Sequence, residues 1–335
     1  MTTRPGHARR EFDVFNGDAD GLIARHQYRL ALPVSGDGPV LITRVKRDVH
    51  LCGRVDARRG DAVNVFDISY DQNLDAVSAL LEGGVRVRYF DHHRATRLAA
   101  HPGLEAHIDV AADVCSSLLV DRFLHGRYRT WAIAAAYGDN LIAVATHLAI
   151  AAQLSVAQQT QLRELGECLN YNAYGDSEDD LLFRPATLAQ LMAPYASPFD
   201  FIAGETAFAE LRQGYADDMA RVAAIAPQYA TVASAVYQLP DAAFSRRVSG
   251  AFANHLASAH PQRAHAVLTP NAHGTFTVSI RAPVARPQGA DQVASAFAGG
   301  GGRASAAGIN ELPITELARL REVMTAVFAS DGELI

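Results

Sequence analysis

Residues 11–21, EFDVFNGDADG, decide the fold, because an apolar run leads straight into acidic residues and a helix-like stretch, GLIARHQYRLAL (21–32), follows at once. The same succession recurs in VNVFDIS (63–69) and in RVRYFDHH (86–93). Each apolar run has the length and the Val and Phe content of a buried strand, and helix-like stretches separate the runs. Strands and helices that alternate in this way build parallel βαβ units, so the sequence predicts an α/β fold with a parallel sheet.

Acidic and histidine side chains stand at the ends of these predicted strands: Asp18 and Asp20 after the first, Asp67 after the second, and Asp91, His92 and His93 after the third. The carboxyl ends of parallel strands meet at one edge of the sheet, where ligand sites form. Crowded carboxylates raise one another's pKa unless a cation lies between them, so the pattern predicts a metal site. Aspartate oxygens together with imidazole nitrogens suit Mn²⁺ better than Mg²⁺.

Each of these pieces also has a purely structural interpretation. DADG (18–21) is a common turn sequence, Asp67 could cap a helix, and the histidine pair could lie in a solvated loop. A fourth piece, YGDN (137–140), precedes an apolar stretch and has the composition of a helix N-cap at Asp139 or Asn140. Only the occurrence of all the pieces in one chain favours a shared site.

The second half of the chain has a different organisation. Residues 141–235 are rich in Ala and Leu and predict helices, among them a long connecting helix over 208–226 that ends at Pro227. The stretches at 233–239, 249–260, 264–269, 274–282, 291–298 and 299–303 predict strand, helix, strand, strand, helix and glycine-rich loop. We therefore expect a catalytic domain over 11–195, a helical linker over 196–230 and a smaller mixed α/β domain over 231–330.

Composition sets limits on the function. A chain of 335 residues is longer than one hydrophobic core usually supports. The formal net charge of -6 argues against a protein that coats long nucleic acid, but leaves a small anionic substrate open. The longest apolar stretch, Leu141–Ala152, is too short to span a membrane, and the N-terminus lacks the apolar core of a signal peptide. We expect a cytoplasmic protein.

Four motifs in order resemble those of the DHH phosphoesterases: FNGDADG (15–21), FDIS (66–69), FDHH (90–93) and YGDN (137–140). VSIR (278–281) and the glycine-rich stretch 299–308 resemble substrate-binding elements of the DHH-associated domain. The resemblance covers nearly the whole chain. It implies a parallel-sheet catalytic domain that is joined by a helical linker to the smaller domain, with the active site in the cleft between them.

The resemblance also implies a division of roles at the metal centre. It implies two Mn²⁺ ions and a metal-activated water, with Asp18 and Asp67 as ligands of one ion and Asp20, Asp67, His92 and Asp139 as ligands of the other. Asp67 would bridge the ions, Asp91 would orient His92, and His93 would face the phosphate. Two positions depart from the family pattern. The first is Asn16, which stands where many relatives carry histidine or an acid and predicts a loosely held first ion.

Substrate contacts are expected in the second domain, from Asn254, His255, Ser279, Arg281, Gly300, Gly301, Gly302 and Arg303. Arg303 stands where many relatives carry histidine after the glycine run, and its guanidinium can still form a fork on a phosphate. The alternative interpretation of the glycine run is a flexible surface loop. Arg44, Lys46 and Arg47 follow a predicted strand, where they contact either phosphate or only water.

The expected activity is hydrolysis of linear dinucleotides or short oligonucleotides to nucleoside monophosphates, with no long duplex DNA as substrate and no membrane partner. A second hypothesis keeps the metal centre but changes the substrate to pyrophosphate, polyphosphate or a nucleoside bisphosphate such as pAp. A third is a non-catalytic nucleotide-binding regulator. Formation of a homodimer is left open.

Overall fold

A computed structural model describes residues 9–329. The chain divides into two compact units, and the division falls between Arg212 and Gln213, inside one long helix. The domain limits expected from the sequence stay a prediction. None of the helices within 9–329 is both long enough and apolar enough to cross a membrane.

The first unit is built on a five-stranded parallel sheet with the spatial order β2-β1-β3-β4-β5. Its strands are β1 (Glu11–Phe15), β2 (Val40–Ile42), β3 (Ala62–Phe66), β4 (Arg86–Asp91) and β5 (Leu104–Ile108). β1 and β3 are buried along their length apart from the partly buried Glu11, as expected of central strands covered on both faces. The parallel sheet predicted from the sequence is confirmed.

Helices complete the first unit: α1 (Ala19–Ala31), α2 (Tyr70–Glu82), α3 (Ser116–Phe123), α4 (Arg129–Gly138), α5 (Ile142–Ala151), α6 (Val156–Tyr171), α7 (Pro185–Met192), α8 (Pro198–Gly204) and α9 (Thr206–Ala223). The last of these is the predicted connecting helix, displaced by two or three residues at each end, and it contains the division between the two units. The helices expected over 141–235 are confirmed from Ile142 to Ala223, but residues 224–235 are not helical.

The strand order of the parallel sheet reverses at one point along its edge. The chain passes from β1 outward to β2 and then returns to the other side of β1 as β3, so the order reverses between β1 and β3. Open α/β sheets bind ligands at such a reversal. Asp18 follows β1 and Asp67 follows β3. Stacked, fully buried Phe66 and Phe90 hold the ends of β3 and β4 directly before Asp67 and Asp91.

Two glycines bring α4 and α6 into close contact beneath this edge. A side chain on Gly166 would collide with the Ala134 carbonyl oxygen, and a Cβ on Gly138 would lie 2.7 Å from the Gly166 carbonyl oxygen. Gly138 is the last residue of α4 and immediately precedes Asp139. The close helix contact therefore sets the position of Asp139.

We predict that Gly166→Ala lowers the free energy of unfolding by about 1–3 kcal/mol, the usual cost of overpacking a core. The displaced end of α4 should also weaken Mn²⁺ binding. Urea denaturation and Mn²⁺ titration measure the two effects. Gly53→Ala is the matched control, because a Cβ there meets open space, and equal behaviour of the two variants would contradict the prediction.

The second unit has a mixed six-stranded sheet with the order β10-β11-β9-β8-β7-β6. Its elements are β6 (Tyr229–Ala230), β7 (Ser234–Gln238), α10 (Ala243–Ala259), β8 (Ala264–Pro270), β9 (Phe276–Arg281), α11 (Ala290–Ser295), β10 (Gly300–Gly302), β11 (Ala306–Leu312) and α12 (Leu317–Phe328). Only β7 and β8 pair in parallel. The mixed α/β architecture agrees with the expectation, although β11 and α12 go unpredicted.

The glycine run is not a flexible loop, and that part of the prediction is wrong. Gly300–Gly302 form β10, an edge strand that pairs antiparallel with β11. Side chains would not fit at two of the three positions: a Cβ on Gly300 would collide with the Ala294 carbonyl oxygen, and Gly302 has a φ of 145°. The glycines therefore permit close strand packing. The known flexibility of glycine does not by itself predict this role.

Candidate metal centre

Three side chains converge at the sheet edge where β3 and β4 end. The Oδ1 atom of Asp67 lies 3.3 Å from Nε2 of His92 and 3.9 Å from Nδ1 of His93. One ligand atom from each of the three residues lies within 4.8 Å of the others. This mixture of one carboxylate and two imidazoles fits a divalent transition ion.

Asp67 is held at the centre by an unusual backbone. Its φ is 57°, a left-handed conformation that is uncommon for a residue other than glycine. Its N–H still donates to the Phe90 carbonyl oxygen at 2.9 Å, which extends the β3–β4 pairing by one residue. Such conformations persist where the surrounding structure imposes them, often at functional sites.

The electrostatics around Asp67 favour a cation. Burial raises the pKa of Asp67 well above its usual range, and the carboxylates of Asp18 and Asp20 raise it further. Asp67, with Asp20 and Asp139, in turn raises the pKa of His92 to about 10, against the opposing effect of burial. A bound divalent cation would relieve the repulsion among the acids, which is the physical basis of the metal prediction.

Asp18 has a cationic partner that the sequence does not reveal. Its Oδ1 accepts a hydrogen bond from the Gly21 N–H at 3.0 Å and caps α1, while its Oδ2 lies 2.6 Å from Nζ of Lys46. Burial would raise the pKa of Asp18, but the Lys46 ammonium overrides burial and lowers it. Lys46 is the only lysine of the chain, but nothing in the sequence around it indicates Asp18 as its partner.

Asp20 points toward α3 and has a structural role there. Its two carboxylate oxygens accept hydrogen bonds from the backbone N–H groups of Ser116 and Ser117, each at 2.7 Å. The residue before the helix, Cys115, makes no capping bond with its own side chain. The carboxylate of Asp20 thus caps a helix nearly a hundred residues away in sequence, and Ser116 Oγ donates to Asp67 at 3.2 Å.

Asp139 ends α4 rather than beginning α5. It is the C-cap of α4, Asn140 follows with a left-handed φ of 62°, and the N-cap of α5 is Leu141. The alternative interpretation of YGDN as a helix N-cap is therefore wrong, because the turn terminates the preceding helix. Burial raises the pKa of Asp139 to about 6. Within residues 9–329 no hydrogen bond engages its carboxylate, which leaves it open to a ligand.

Asp91 orients His93, so its expected pairing with His92 is wrong. Asp91 Oδ1 accepts from Nδ1 of His93 at 2.6 Å and from the His93 backbone N–H at 3.1 Å, while Oδ2 accepts from the Tyr70 N–H at 3.1 Å. The backbone turn after β4 folds the second histidine back over the aspartate, while His92 extends toward Asp67. Because the carboxylate can only accept, His93 Nδ1 carries the proton and its Nε2 stays available.

Asn16 braces the loop between β1 and α1. Its Oδ1 accepts from the Asp18 N–H at 3.3 Å, and its Nδ2 donates to the Lys46 carbonyl oxygen at 3.5 Å. Both ends of the amide are engaged by backbone. The side chain therefore links the Asp18 loop to the Lys46 loop.

Two of the substrate residues expected in the second unit share one face of its sheet. β9 alternates, with Val278 and Ile280 buried in the core and Ser279 and Arg281 on the opposite face. Ser279 pairs with Gly308 of β11, which in turn pairs with Gly301 of β10.

Arg281 also reaches α10, where its Nε donates to Oδ1 of Asn254 at 2.5 Å. His255 is exposed on the same helix, and Arg303 is exposed in the turn between β10 and β11. Asn254 and Arg281 are thus in contact, and Ser279 lies on the same strand face as Arg281.

No protein-family model matches the chain, and no curated protein matches its sequence. Several solved structures match this chain over 95% of its length. The manganese-bound exonuclease RecJ gives a TM-score of 0.61 at 16% identity and covers 95% of this chain and 89% of its own. A DHH domain, described as a member of a family of ribosomal proteins, gives 0.58 at 13% identity over 95% and 86%. The chain has the DHH fold.

A third match to this DHH fold is a pGpG-specific phosphodiesterase, PggH of Vibrio cholerae, with a TM-score of 0.55 at 13% identity over 95% of this chain and 99% of PggH. The resemblance inferred from the four motifs is thereby confirmed for the fold. Because the sequence identities are only 13–16%, these matches establish the fold but not the substrate.

Binding of a metal ion at this candidate site should release protons. The pKa of His92 is raised to about 10, so its imidazole carries a proton at pH 7.5 that must leave before the nitrogen can bind a metal. Asp139, with a pKa of about 6, is already ionised at that pH. We therefore expect Mn²⁺ affinity to rise about tenfold per pH unit between pH 7 and 9.

Calorimetric titration of Mn²⁺ in two buffers of different ionisation enthalpy counts the released protons. We expect about one proton or more per bound ion, and fewer in His92→Asn, because one ionisable ligand is lost. Binding with no proton release by the unaltered protein would contradict His92 as a ligand.

Proposed function

We propose that the protein is a metal-dependent phosphodiesterase that hydrolyses linear dinucleotides or short oligonucleotides to nucleoside monophosphates. One observation carries the proposal: Asp67, His92 and His93 converge within 4.8 Å at the strand ends, beside the buried carboxylates of Asp18 and Asp20. A cluster of this kind, where the strand order reverses, is the arrangement expected of a hydrolytic metal site.

The chain's own residues divide the work of hydrolysis. Asp67, His92 and Asp139 present the ligand atoms for a divalent ion, for which we propose Mn²⁺. The bound ion would supply Lewis-acid activation of water and of the scissile phosphate. Asp91 fixes the ring of His93 so that its Nε2 can contact a phosphate oxygen. Water adds to phosphorus, the bond to the 3′ oxygen breaks, and that oxygen takes up a proton.

The size of the substrate is inferred from charge and from the comparisons. A formal net charge of -6 gives little attraction for long nucleic acid. PggH, which shares the fold over 99% of its length, is described as pGpG-specific. Both observations favour a short substrate over a long one.

Arg281 is proposed to hold a substrate phosphate in the second unit. We predict that Arg281→Met raises KM for a linear dinucleotide at least tenfold, because a charge-assisted hydrogen bond contributes about 1.5–3 kcal/mol. Steady-state kinetics with the purified protein measure this effect. Arg286→Met removes an exposed cation of the same unit and is the matched control; an equal KM in the two variants would count against Arg281.

A substrate panel tests the proposal as a whole. The purified protein with Mn²⁺ is incubated with pGpG, pApA, a short RNA, long single-stranded DNA, pAp and pyrophosphate, and the products are separated by chromatography. We expect monophosphates from the dinucleotides and the short RNA. Phosphate release from pAp or pyrophosphate alone would support the second hypothesis, and binding of nucleotides without turnover would support the regulator.

A further inference from the structure

Lys46 places a positive charge inside the acidic cluster. Its Nζ lies 2.6 Å from Asp18 Oδ2 and 3.2 Å from Asn170 Oδ1. It also lies 5.5 Å from the ring centre of Tyr174, within cation–π range. Two of these three contacts do not involve the cluster, so the ammonium is held in place by α6 and by the loop that follows that helix.

The loop that carries Lys46 is itself anchored. The Lys46 N–H donates to the Ala173 carbonyl oxygen at 2.9 Å, and the Lys46 carbonyl accepts from Asn16. The backbone of the lysine is therefore bound on both sides. Its side chain, 28% exposed, is in contact with Asp18, Asn170 and the ring of Tyr174.

The ligands on the Asp18 side of the cluster are already engaged. Asp18 uses one oxygen for the Gly21 N–H and the other for Lys46, and the amide of Asn16 is bound at both ends. On the other side, the carboxylate of Asp139 accepts no hydrogen bond within the described residues, and Asp67 and His92 converge. The two sides of the cluster therefore differ in their capacity for a cation.

We infer that Lys46 is a built-in cation that takes the place of one metal ion beside Asp18, so that the centre binds one divalent ion, on the side of Asp67, His92 and Asp139. The inference deepens the proposed function and rests on its metal centre. An ammonium so close to Asp18 repels a second divalent cation and neutralises the carboxylate that would otherwise bind it.

Metal counting tests the inference. The full chain is dialysed to equilibrium against Mn²⁺ at pH 7.5. Elemental mass spectrometry then gives the total Mn²⁺ per protein, and the electron paramagnetic resonance signal gives the free Mn²⁺, so that their difference counts the bound ions. We expect one ion in the unaltered protein and two in Lys46→Met, with the second bound at least about tenfold more tightly than in the unaltered protein.

Three further variants sharpen the result. Arg44→Met removes a neighbouring cation that pairs with Glu178 instead, at 3.2 Å, and should still bind one ion. Lys46→Arg keeps the charge and should also bind one. Asn16→Asp combined with Lys46→Met adds a ligand and should bind the second ion more tightly than Lys46→Met alone.

Two stable ions in the unaltered protein would overturn the inference, as would a single ion in both Lys46→Met and the double variant. Either result leaves the phosphodiesterase proposal standing. Absence of bound Mn²⁺ from every variant, each shown to be folded by circular dichroism, would overturn the metal centre and the inference together.

Discussion

Replacement of Asp67 with asparagine is expected to abolish hydrolysis, with kcat at least a thousandfold lower, since metal stabilisation of the transition state is worth several kcal/mol and each 1.4 kcal/mol is about tenfold. Asp67 is the carboxylate on which both histidines converge. An amide keeps the shape of the side chain but loses the charge that binds the ion. Dinucleotide hydrolysis and Mn²⁺ titration on the same samples measure the loss.

Without bound metal, the Asp67→Asn variant should be at least as stable as the unaltered protein. Burial and the carboxylates of Asp18 and Asp20 raise the pKa of Asp67, so its charge destabilises the metal-free protein at pH 7.5. We therefore expect a free energy of unfolding in EDTA that is equal to or above that of the unaltered protein. Asp75→Asn, on the exposed surface of α2, is the matched control for activity. Activity of Asp67→Asn equal to that control would rule out Asp67 as a metal ligand.

Replacement of Asp20 with alanine has a different expected result, because its largest effect is on stability. The backbone N–H groups of Ser116 and Ser117 would lose their acceptor inside the protein. Each buried donor left without a partner costs about 1–3 kcal/mol, partly offset by relief of the repulsion with Asp67, so we expect a net loss of about 2–4 kcal/mol. Urea denaturation in EDTA measures it without any contribution from metal.

Asp20→Asn is the graded control for this experiment. Its amide keeps one oxygen acceptor and should cost about half as much as alanine. Stability of Asp20→Ala within about 0.5 kcal/mol of the unaltered protein, the range of ordinary surface changes, would show that the two hydrogen bonds do not anchor α3. Together, the Asp67 and Asp20 variants separate a carboxylate placed for a ligand from one placed for the fold.

Local patterns alone were sufficient to predict the parallel sheet and the side chains that gather at its edge. Short apolar runs that end in aspartate identify strands whose carboxyl ends meet, and this convergence follows from the parallel direction of the strands. The region rich in Ala and Leu likewise predicts helices from its composition. For the same reason the four DHH motifs indicate the fold, since each lies at the end of a strand or helix.

The tertiary structure decided which side chains contact one another at the site. Lys46 meets Asp18 across 28 residues of sequence, and Asp20 caps a helix that begins at Ser116. Neither contact has a local signature, because side-chain partners depend on how loops and helices pack over the sheet. The choice of His93 rather than His92 as the partner of Asp91 also depends on the backbone turn after β4.

Sequence thus determined which chemical groups gather at the sheet edge, because strand direction alone brings the strand ends together. Tertiary packing decided what each group does there. Asp67 meets His92 and the Ser116 hydroxyl, and the Asp139 carboxylate accepts no hydrogen bond within residues 9–329. Asp20 is used by α3, and Asp18 is paired with an ammonium. The physical reason is that a carboxylate is an acceptor that can bind a metal ion, cap a helix or pair with a cationic side chain. The neighbours supplied by the fold determine which of these it binds.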